Sequence, residues 1–182
     1  EFVPPTLEIR SIGDGPGIVP STGMNVVKTT YSTQTNFTVP TSIPGINISG
    51  LNLTIKPTAT DSVIEIKFNL FAEADEPNIC FRITRNIDGT DVLVVPASNE
   101  WEGAIQVPYH DGQANNTPGV YPIVWYDEPN TTSAVTYKLW AGSSWSSDTK
   151  DLYVNRTYTL PGQAHHETGV STAIAIEYPK TA

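Results

Sequence analysis

Aromatic side chains with polar neighbours are the feature of this sequence best suited to binding chemistry. Trp140 ends a run of alternating residues, and Trp145 follows in a serine-rich stretch. Sugar rings stack on aromatic faces, while amide and carboxylate groups bind the sugar hydroxyls. We therefore predict glycan or receptor contact at Trp140 and Trp145. The alternative is that these rings fill the core or a subunit interface.

A long polar segment between two apolar stretches is the second candidate. Residues 109–118 are rich in Gly, Asn, Gln and His, a composition typical of a loop. Its side chains can both donate and accept hydrogen bonds. We predict that it contributes to the same ligand site through Tyr109, His110, Asp111, Gln113, Asn115 and Asn116.

Histidines and carboxylates form no recognisable metal or catalytic motif. His165 and His166 are adjacent, and neighbouring strand residues point to opposite faces, so one ion is not easily held by both. The acidic stretch 73–76 lacks the D-x-D-x-D-G spacing of a calcium loop. No G-x-S-x-G, H-E-x-x-H, P-loop or dinucleotide fingerprint occurs. We therefore predict no metal, no cofactor and no enzymatic activity.

Composition and charge narrow the class of partner. The 182 residues carry a formal net charge of −9, which argues against nucleic acid as a ligand. No apolar run approaches the roughly 18 residues of a membrane span, so we expect no membrane insertion. Cys80 is the only cysteine, so no intrachain disulfide is possible. Cys80 lies in a strand pattern, so we expect it to be a buried small hydrophobic residue. A chain without disulfides is consistent with folding in a reducing cytoplasm.

The elements that must position these residues are predicted to be strands. Residues 63–71 alternate most clearly, and residues 170–178 form a closing strand. Asn86 to Gly89 predicts a hairpin turn, because Asp-Gly tolerates positive φ. We also expect a strand pair or bulge around Gly50 within 46–55, and a strand at 101–107. About ten short strands without a helical period predict an all-β fold, an antiparallel β-sandwich or jelly roll.

Composition also divides the chain near residue 24. Residues 1–23 are rich in Pro and Gly and are predicted to be a linker or arm. Residues 24–182 are predicted to form one β-sandwich domain, in line with the usual size of a domain. Because no initiator Met is present, we expect the chain to be a head excised from a longer fibre.

Several segments, taken in order, resemble a known family. Residues 127–139 read D-x-P-x-T-T-S-x-x-T-Y-x-L and are followed by Y-V-N-R at 153–156. Residues 28–33, 53–66 and 169–178 match the expected start, an I-x-P-x-x-x-x-S-x-I-x-I block and the final strand. This order resembles a domain found near the C-termini of bacteriophage tail-fibre and other virion structural proteins, whose receptor-binding heads it is similar to.

The resemblance implies where the protein is located, but it identifies no binding site. It implies a β-rich virion appendage domain, assembled in the host cytoplasm, commonly as a homotrimer, and often placed at the tip that meets the host. Its partners would be copies of itself, other virion proteins and a host surface polysaccharide or receptor. The matching turn and strand residues are interpreted as structural determinants: Asp127, Pro129, Thr131, Thr132, Tyr137 and Asn155.

Three functions follow as hypotheses. The leading one is a tail-fibre or receptor-binding head that attaches to host surface glycan by adhesion without catalysis. The alternative is a capsid decoration or head-fibre structural protein without host binding, whose aromatic residues pack between subunits. A depolymerising enzyme is the third and weakest hypothesis, since any two carboxylates at a suitable distance could serve.

Overall fold

Residues that alternate between buried and exposed positions form strands throughout the part of the chain that the structure describes. The computed structural model describes residues 25–108, 118–145, 149–159, 161–164 and 166–179, and the arm predicted for 1–23 lies outside them. A single 3₁₀ turn, Ser49–Leu51, interrupts the strands within these ranges. The strands are β1 Val26–Tyr31, β2 Thr35–Val39, β3 Ile46–Asn47, β4 Leu53–Ile55, β5 Val63–Ala74, β6 Ile79–Ile87, β7 Thr90–Leu93, β8 Gly119–Asp127, β9 Val135–Ser143, β10 Lys150–Val154 and β11 Ser171–Tyr178.

The strands pair in a nested order. β1 pairs with β11, β4 with β9, β5 with β8, and β6 with β7, all antiparallel. The further pairs β11–β5 and β9–β6 join these four ribbons into two sheets. This is the topology of an eight-stranded jelly roll, so the predicted all-β sandwich fold is confirmed. In the first sheet the order is β1-β11-β5-β8, and in the second β4-β9-β6-β7.

Three short strands extend this framework. β3 pairs with β9 in the second sheet. β10 pairs with the end of β5, and β2 pairs with β10, so this ribbon continues the first sheet beyond β11. Asn36 of β2 lies directly opposite Tyr153 of β10. The β2–β10 ribbon is the part of the fold that carries the candidate site described below.

The core lies between the two sheets. Every second residue of β5 faces it, and Ile64, Ile66 and Phe68 are fully buried. Tyr137 and Leu139 of β9 face them from the second sheet and are also fully buried. This period of two is the pattern expected when one face of a sheet packs on the core. The sequence signal at 63–71 therefore predicted both the strand and its buried face.

The predictions for individual turns and strands are confirmed only in part. The Asp88-Gly89 hairpin is confirmed, because both residues have positive φ, as the tight turn requires. Cys80 is buried, as expected. The strand expected at 101–107 is wrong except for one bridge between Gln106 and Phe81, because residues around Gly103 turn instead. The pair expected at 46–55 contains the 3₁₀ turn at Gly50, where a side chain would collide with the Tyr31 ring.

Arg82 explains why the 98–104 segment turns over the second sheet. Its guanidinium is fully buried and donates to the carbonyl oxygens of Pro44, Glu102 and Glu100. A buried guanidinium must satisfy its donors, and here loop carbonyls do so. The loop is therefore held over the outer face of β6.

Asp127 links the two sheets at one end of the sandwich. It ends β8, and its carboxylate accepts hydrogen bonds from the Tyr137 hydroxyl at 2.9 Å and from Arg85 Nη1 at 2.8 Å. Burial, together with the Asp127 charge, raises the pKa of Tyr137 far above its usual range. The interpretation of Asp127 and Tyr137 as structural determinants is confirmed by these contacts.

Asn155 joins four strands just after β10. Its side-chain amide donates to the carbonyl oxygens of Tyr31 at 2.8 Å and Thr33 at 3.0 Å. Its side-chain oxygen accepts from the Ser171 hydroxyl at 2.7 Å, and its backbone N–H donates to Phe71 O at 2.9 Å. Asn155 also has a φ of 61°, a conformation that Asn tolerates better than most residues. It too is a structural determinant, as the sequence predicted.

We expect the substitution Asn155→Ala to lower the free energy of unfolding by about 3 kcal/mol, because it leaves buried backbone groups unpaired and strains the backbone. Asn130→Ala is the matched control, since Asn130 has a φ of 54° but is exposed. It should cost about 1 kcal/mol or less. Urea denaturation of both variants measures the difference, and equal losses would contradict the role assigned to Asn155.

Candidate interaction surfaces

The structure places the two predicted tryptophans at separate positions. Trp140 lies on the outer face of β9, on the side opposite Tyr137 and Leu139, and its Nε1 donates to Thr84 Oγ1 at 2.8 Å. Trp145 follows β9 and is 53% exposed. No described contact joins the two indoles. Whether either ring binds a ligand stays a prediction.

The other predicted site residues cannot be placed. Tyr109, His110, Asp111, Gln113, Asn115 and Asn116 lie outside the described residues. His165 is also outside them, while His166 Nδ1 lies 2.7 Å from the Thr159 carbonyl oxygen. Over the described ranges, no group of three His, Cys, Asp or Glu side chains is arranged to hold a metal ion.

A cleft that the sequence did not predict lies on the outer side of the β2–β10 ribbon. Its volume is about 480 Å³, within the range of small-molecule sites. We call it the aromatic cleft, and it is lined by Asn36, Tyr153, Arg156, Tyr158, Thr159 and Gln163. These residues include two aromatic rings, one cation and several groups that form neutral hydrogen bonds.

The segment after Asn155 builds one wall of the cleft. The Arg156 guanidinium donates through Nε to Thr157 O at 2.8 Å and through Nη2 to the carbonyl oxygens of Tyr158 at 3.0 Å and Thr159 at 3.1 Å. The Tyr158 N–H donates to the buried Glu73 carboxylate at 2.6 Å. These bonds hold the wall against β5 and fix Tyr158 at the rim.

Tyr153 forms the floor of the cleft. Its ring centroid lies 5.5 Å from the Arg156 guanidinium carbon and 5.2 Å from the Tyr158 ring, which meets it edge-on at 83°. Burial, followed by the charges of Asp151 and Asp75, raises the pKa of Tyr153 to about 12. The hydroxyl is therefore protonated at neutral pH and can donate a hydrogen bond.

The chemistry of the cleft suits binding. Its six described lining residues include no carboxylate, histidine or cysteine. A glycosidase needs a pair of carboxylates and an acyl-transfer enzyme needs an activated nucleophile, and neither is among these six. Aromatic faces beside amide and hydroxyl groups are the features that bind a polar ring.

Sequence reasoning missed the cleft for a definable reason. Tyr153 to Arg156 was interpreted as a marker of fold, and Asn36 lies more than a hundred positions away from Tyr153. Only the register of β2 against β10 brings Asn36 beside Tyr153. The available signal was that Tyr153 and Tyr158 flank Asn155. Asn tolerates positive φ, and a residue with positive φ turns the chain back across the strand it has just left.

The outer face of the first sheet is the second candidate surface. Alternate residues of β1, β8 and β11 point away from the core, and many of them are apolar. We call this surface the apolar face. Its exposed large hydrophobic residues are Val26, Val120, Val124, Tyr126, Val170 and Tyr178.

A buried carboxylate fixes the two tyrosines of the apolar face. Glu65 is 4% exposed and accepts hydrogen bonds from the hydroxyls of Tyr126 at 2.7 Å and Tyr178 at 2.8 Å. Lys67 Nζ lies 2.9 Å from the same carboxylate. The Tyr126 bond and then the Lys67 bond lower the pKa of Glu65 from 4.5 to about 2. Both rings are thus held in place while 58% and 43% exposed.

Comparison with known proteins gives no family assignment. No protein-family model matches the sequence, and no curated protein matches it. The resemblance to phage fibre domains therefore has no support from a family model. Among the described residues, no helix has the length and apolar character needed to cross a membrane.

Solved structures of infectious bursal disease virus align with the chain at low similarity. The VP2 subviral particle shares 14% identity over 93% of this chain with a TM-score of 0.44, and the Gx strain structure shares 14% over 94% with a TM-score of 0.45. The virus-derived T=1 particle shares 12% over 99% with a TM-score of 0.42. This chain spans 37–44% of the length of those chains. Alignments at TM-scores below 0.5 define neither the fold nor the function of this chain.

We expect the stabilising effect of Glu65 to depend on pH. Its folded pKa is depressed, so its contribution is fully present above about pH 4.5 and is lost as pH falls towards 2. The loss of unfolding free energy caused by Glu65→Gln should therefore be larger at pH 6 than at pH 3. Denaturant titrations at both pH values measure it, with Glu167→Gln, at an exposed site, as the control. An equal loss at the two pH values would contradict the assignment.

Proposed function

We propose that this chain is a structural domain of a virus particle, in an appendage such as a tail-fibre head, that assembles with copies of itself and with other virion proteins. The apolar face is the observation that carries the proposal. Jelly rolls occur in viral capsid proteins and in lectin domains, so the topology is compatible with this role. Topology alone does not define a function, so the proposed assembly depends mainly on the apolar face.

The apolar face has the composition of an interface. Contiguous exposed apolar patches are rare on monomeric proteins and mark sites of association. Interface centres are enriched in Tyr, as this face is. The face also carries Lys28 and Lys67, and the Lys67 ammonium is paired with the buried Glu65 carboxylate. Because Tyr126 and Tyr178 are tethered before a partner arrives, association loses less side-chain entropy than it would with free rings.

The proposed assembly is a homotrimer located in the virion and formed in the host cytoplasm. Its support is the ordered set of segments that resemble phage fibre domains. The single, buried cysteine is consistent with folding in a reducing cytoplasm. The proposed role involves no catalysis and no cofactor. A capsid decoration protein without host binding is the alternative and would use the same apolar face.

Attachment to host surface glycan is the second proposed function, favoured by the aromatic cleft. Its rings and hydrogen-bonding groups suit a sugar, and a lectin role is known for the jelly-roll topology. Several weak sites on one rigid oligomer would gain avidity through effective concentration. The cleft lies at the β2–β10 end of the same sheet face, but its lining residues are not those of the apolar face, so each can be changed without the other.

We expect Val124→Asp to reduce self-association. Val124 is 42% exposed on the apolar face and lies opposite Lys67, so the new carboxylate is tolerated in a monomer but not in an apolar contact. Static light scattering across a concentration series should show a trimer for the parent chain and a shift to monomer for the variant, which should still unfold in one cooperative transition.

Val92→Asp is the matched control for this experiment. Val92 is 48% exposed but lies in β7 of the second sheet, so its variant should keep the parent mass. A parent chain that stays monomeric at every concentration would contradict assembly. A Val92→Asp variant that dissociates while Val124→Asp does not would place the interface on the other sheet.

A further inference from the structure

We propose that the aromatic cleft binds a saccharide that carries a carboxylate, with Arg156 pairing with the carboxylate and Tyr153 and Asn36 binding the sugar ring. The proposal rests on the attachment role and adds to it the chemical class of the ligand and the residues that bind it. It differs from the sites predicted at Trp140, Trp145 and residues 109–116.

Arg156 supplies the argument for the carboxylate. Three of its donor bonds go to main-chain carbonyl oxygens of its own segment, which places and orients the guanidinium. In the described part of the chain no carboxylate forms an ion pair with it, although the protein carries a net charge of −9. The Nη1 group is not used in these bonds, so two of the five donors stay available. A guanidinium held in this way is suited to an anionic oxygen.

Tyr153 and Asn36 supply the argument for a sugar. Tyr153 is 7% exposed, and its protonated hydroxyl has no hydrogen-bond partner in the described ranges, while the exposed aromatic ring of the cleft is that of Tyr158, at 43%. The exposed Asn36 carboxamide, which lies opposite Tyr153 in the register of the two strands, likewise has no hydrogen-bond partner in these ranges. An alternating array of donors and acceptors beside an aromatic face matches the hydroxyls and the apolar face of a pyranose.

Free phosphate or a simple carboxylate would use less of this cleft. Either could bind the Arg156 guanidinium, but neither would cover the exposed Tyr158 ring or reach the Asn36 carboxamide at the same time. The volume of about 480 Å³ also exceeds what a small anion fills. The acidic sugar is therefore the ligand class that engages the rings, the amide and the cation together.

Two sugars that differ in one group test the proposal. Methyl β-D-glucuronide and methyl β-D-glucoside differ at C6, where one has a carboxylate and the other a hydroxymethyl group. We expect the parent chain to bind the glucuronide at least about tenfold more tightly, the effect of one charge-assisted hydrogen bond. Two-dimensional ¹H–¹⁵N NMR titrations measure both affinities and map the shifted residues. A methyl sialoside serves as the second carboxylated probe.

Variants assign the effect to residues. Arg156→Gln should remove the preference for the glucuronide, so that the two sugars bind with equal affinity. Because Arg156 also holds its loop, Asn36→Ala provides a second variant that breaks no described contact. Asn36→Ala should weaken the binding of both sugars by the same factor. Asn69→Ala is its matched control, since Asn69 is an exposed asparagine on the outer face of β5 outside the cleft.

Each outcome decides a part of the proposal. Equal binding of glucuronide and glucoside would overturn the role of the carboxylate, and no binding of any probe would overturn the saccharide assignment. Loss of binding on Trp145→Ala, with Asn36→Ala unaffected, would place the site elsewhere. The same titration on monomeric Val124→Asp separates the proposals, because cleft binding should persist there even if assembly is lost.

Discussion

The connections within the first sheet and the aromatic cleft both depend on the hydrogen bonds and backbone conformation of Asn155. Its carboxamide and backbone connect the β1–β2 turn, β5 and the start of β11, and the residue lies at the end of β10. Its positive φ turns the chain out of the sheet, so that Arg156 and Tyr158 lie beside the strand that precedes them. Loss of this turn would therefore disturb the binding surface together with the sheet.

Much of the fold could be predicted from the sequence, because burial on one face of a strand leaves a period of two. β5, β11 and the Asp88-Gly89 hairpin are clear examples. The 3₁₀ turn at Gly50 and the turn near Gly103 were missed, because contacts with Tyr31 and with the buried Arg82 decide them. Such contacts join residues far apart in sequence and leave no local pattern.

The candidate site was predicted less well than the fold. Tryptophans were chosen for their chemistry, and Trp140 does lie on the outer face of its strand, but its indole is bonded to Thr84. The aromatic cleft depends on a register between β2 and β10 and on one residue with positive φ. The apolar face depends on which strands become neighbours, since Tyr126 and Tyr178 meet only through Glu65. Neither arrangement follows from residue type and spacing.

We expect the apolar face to become buried when the chain assembles. Hydroxyl-radical footprinting across a concentration series tests it most directly, because Tyr126 and Tyr178 are both exposed in the single chain and Trp101, at 57% exposure, provides a reference outside the face. Oxidation of Tyr126 and Tyr178 should fall as the chain associates, while oxidation of Trp101 should stay unchanged. Protection of Trp101 with no protection of the two tyrosines would contradict it.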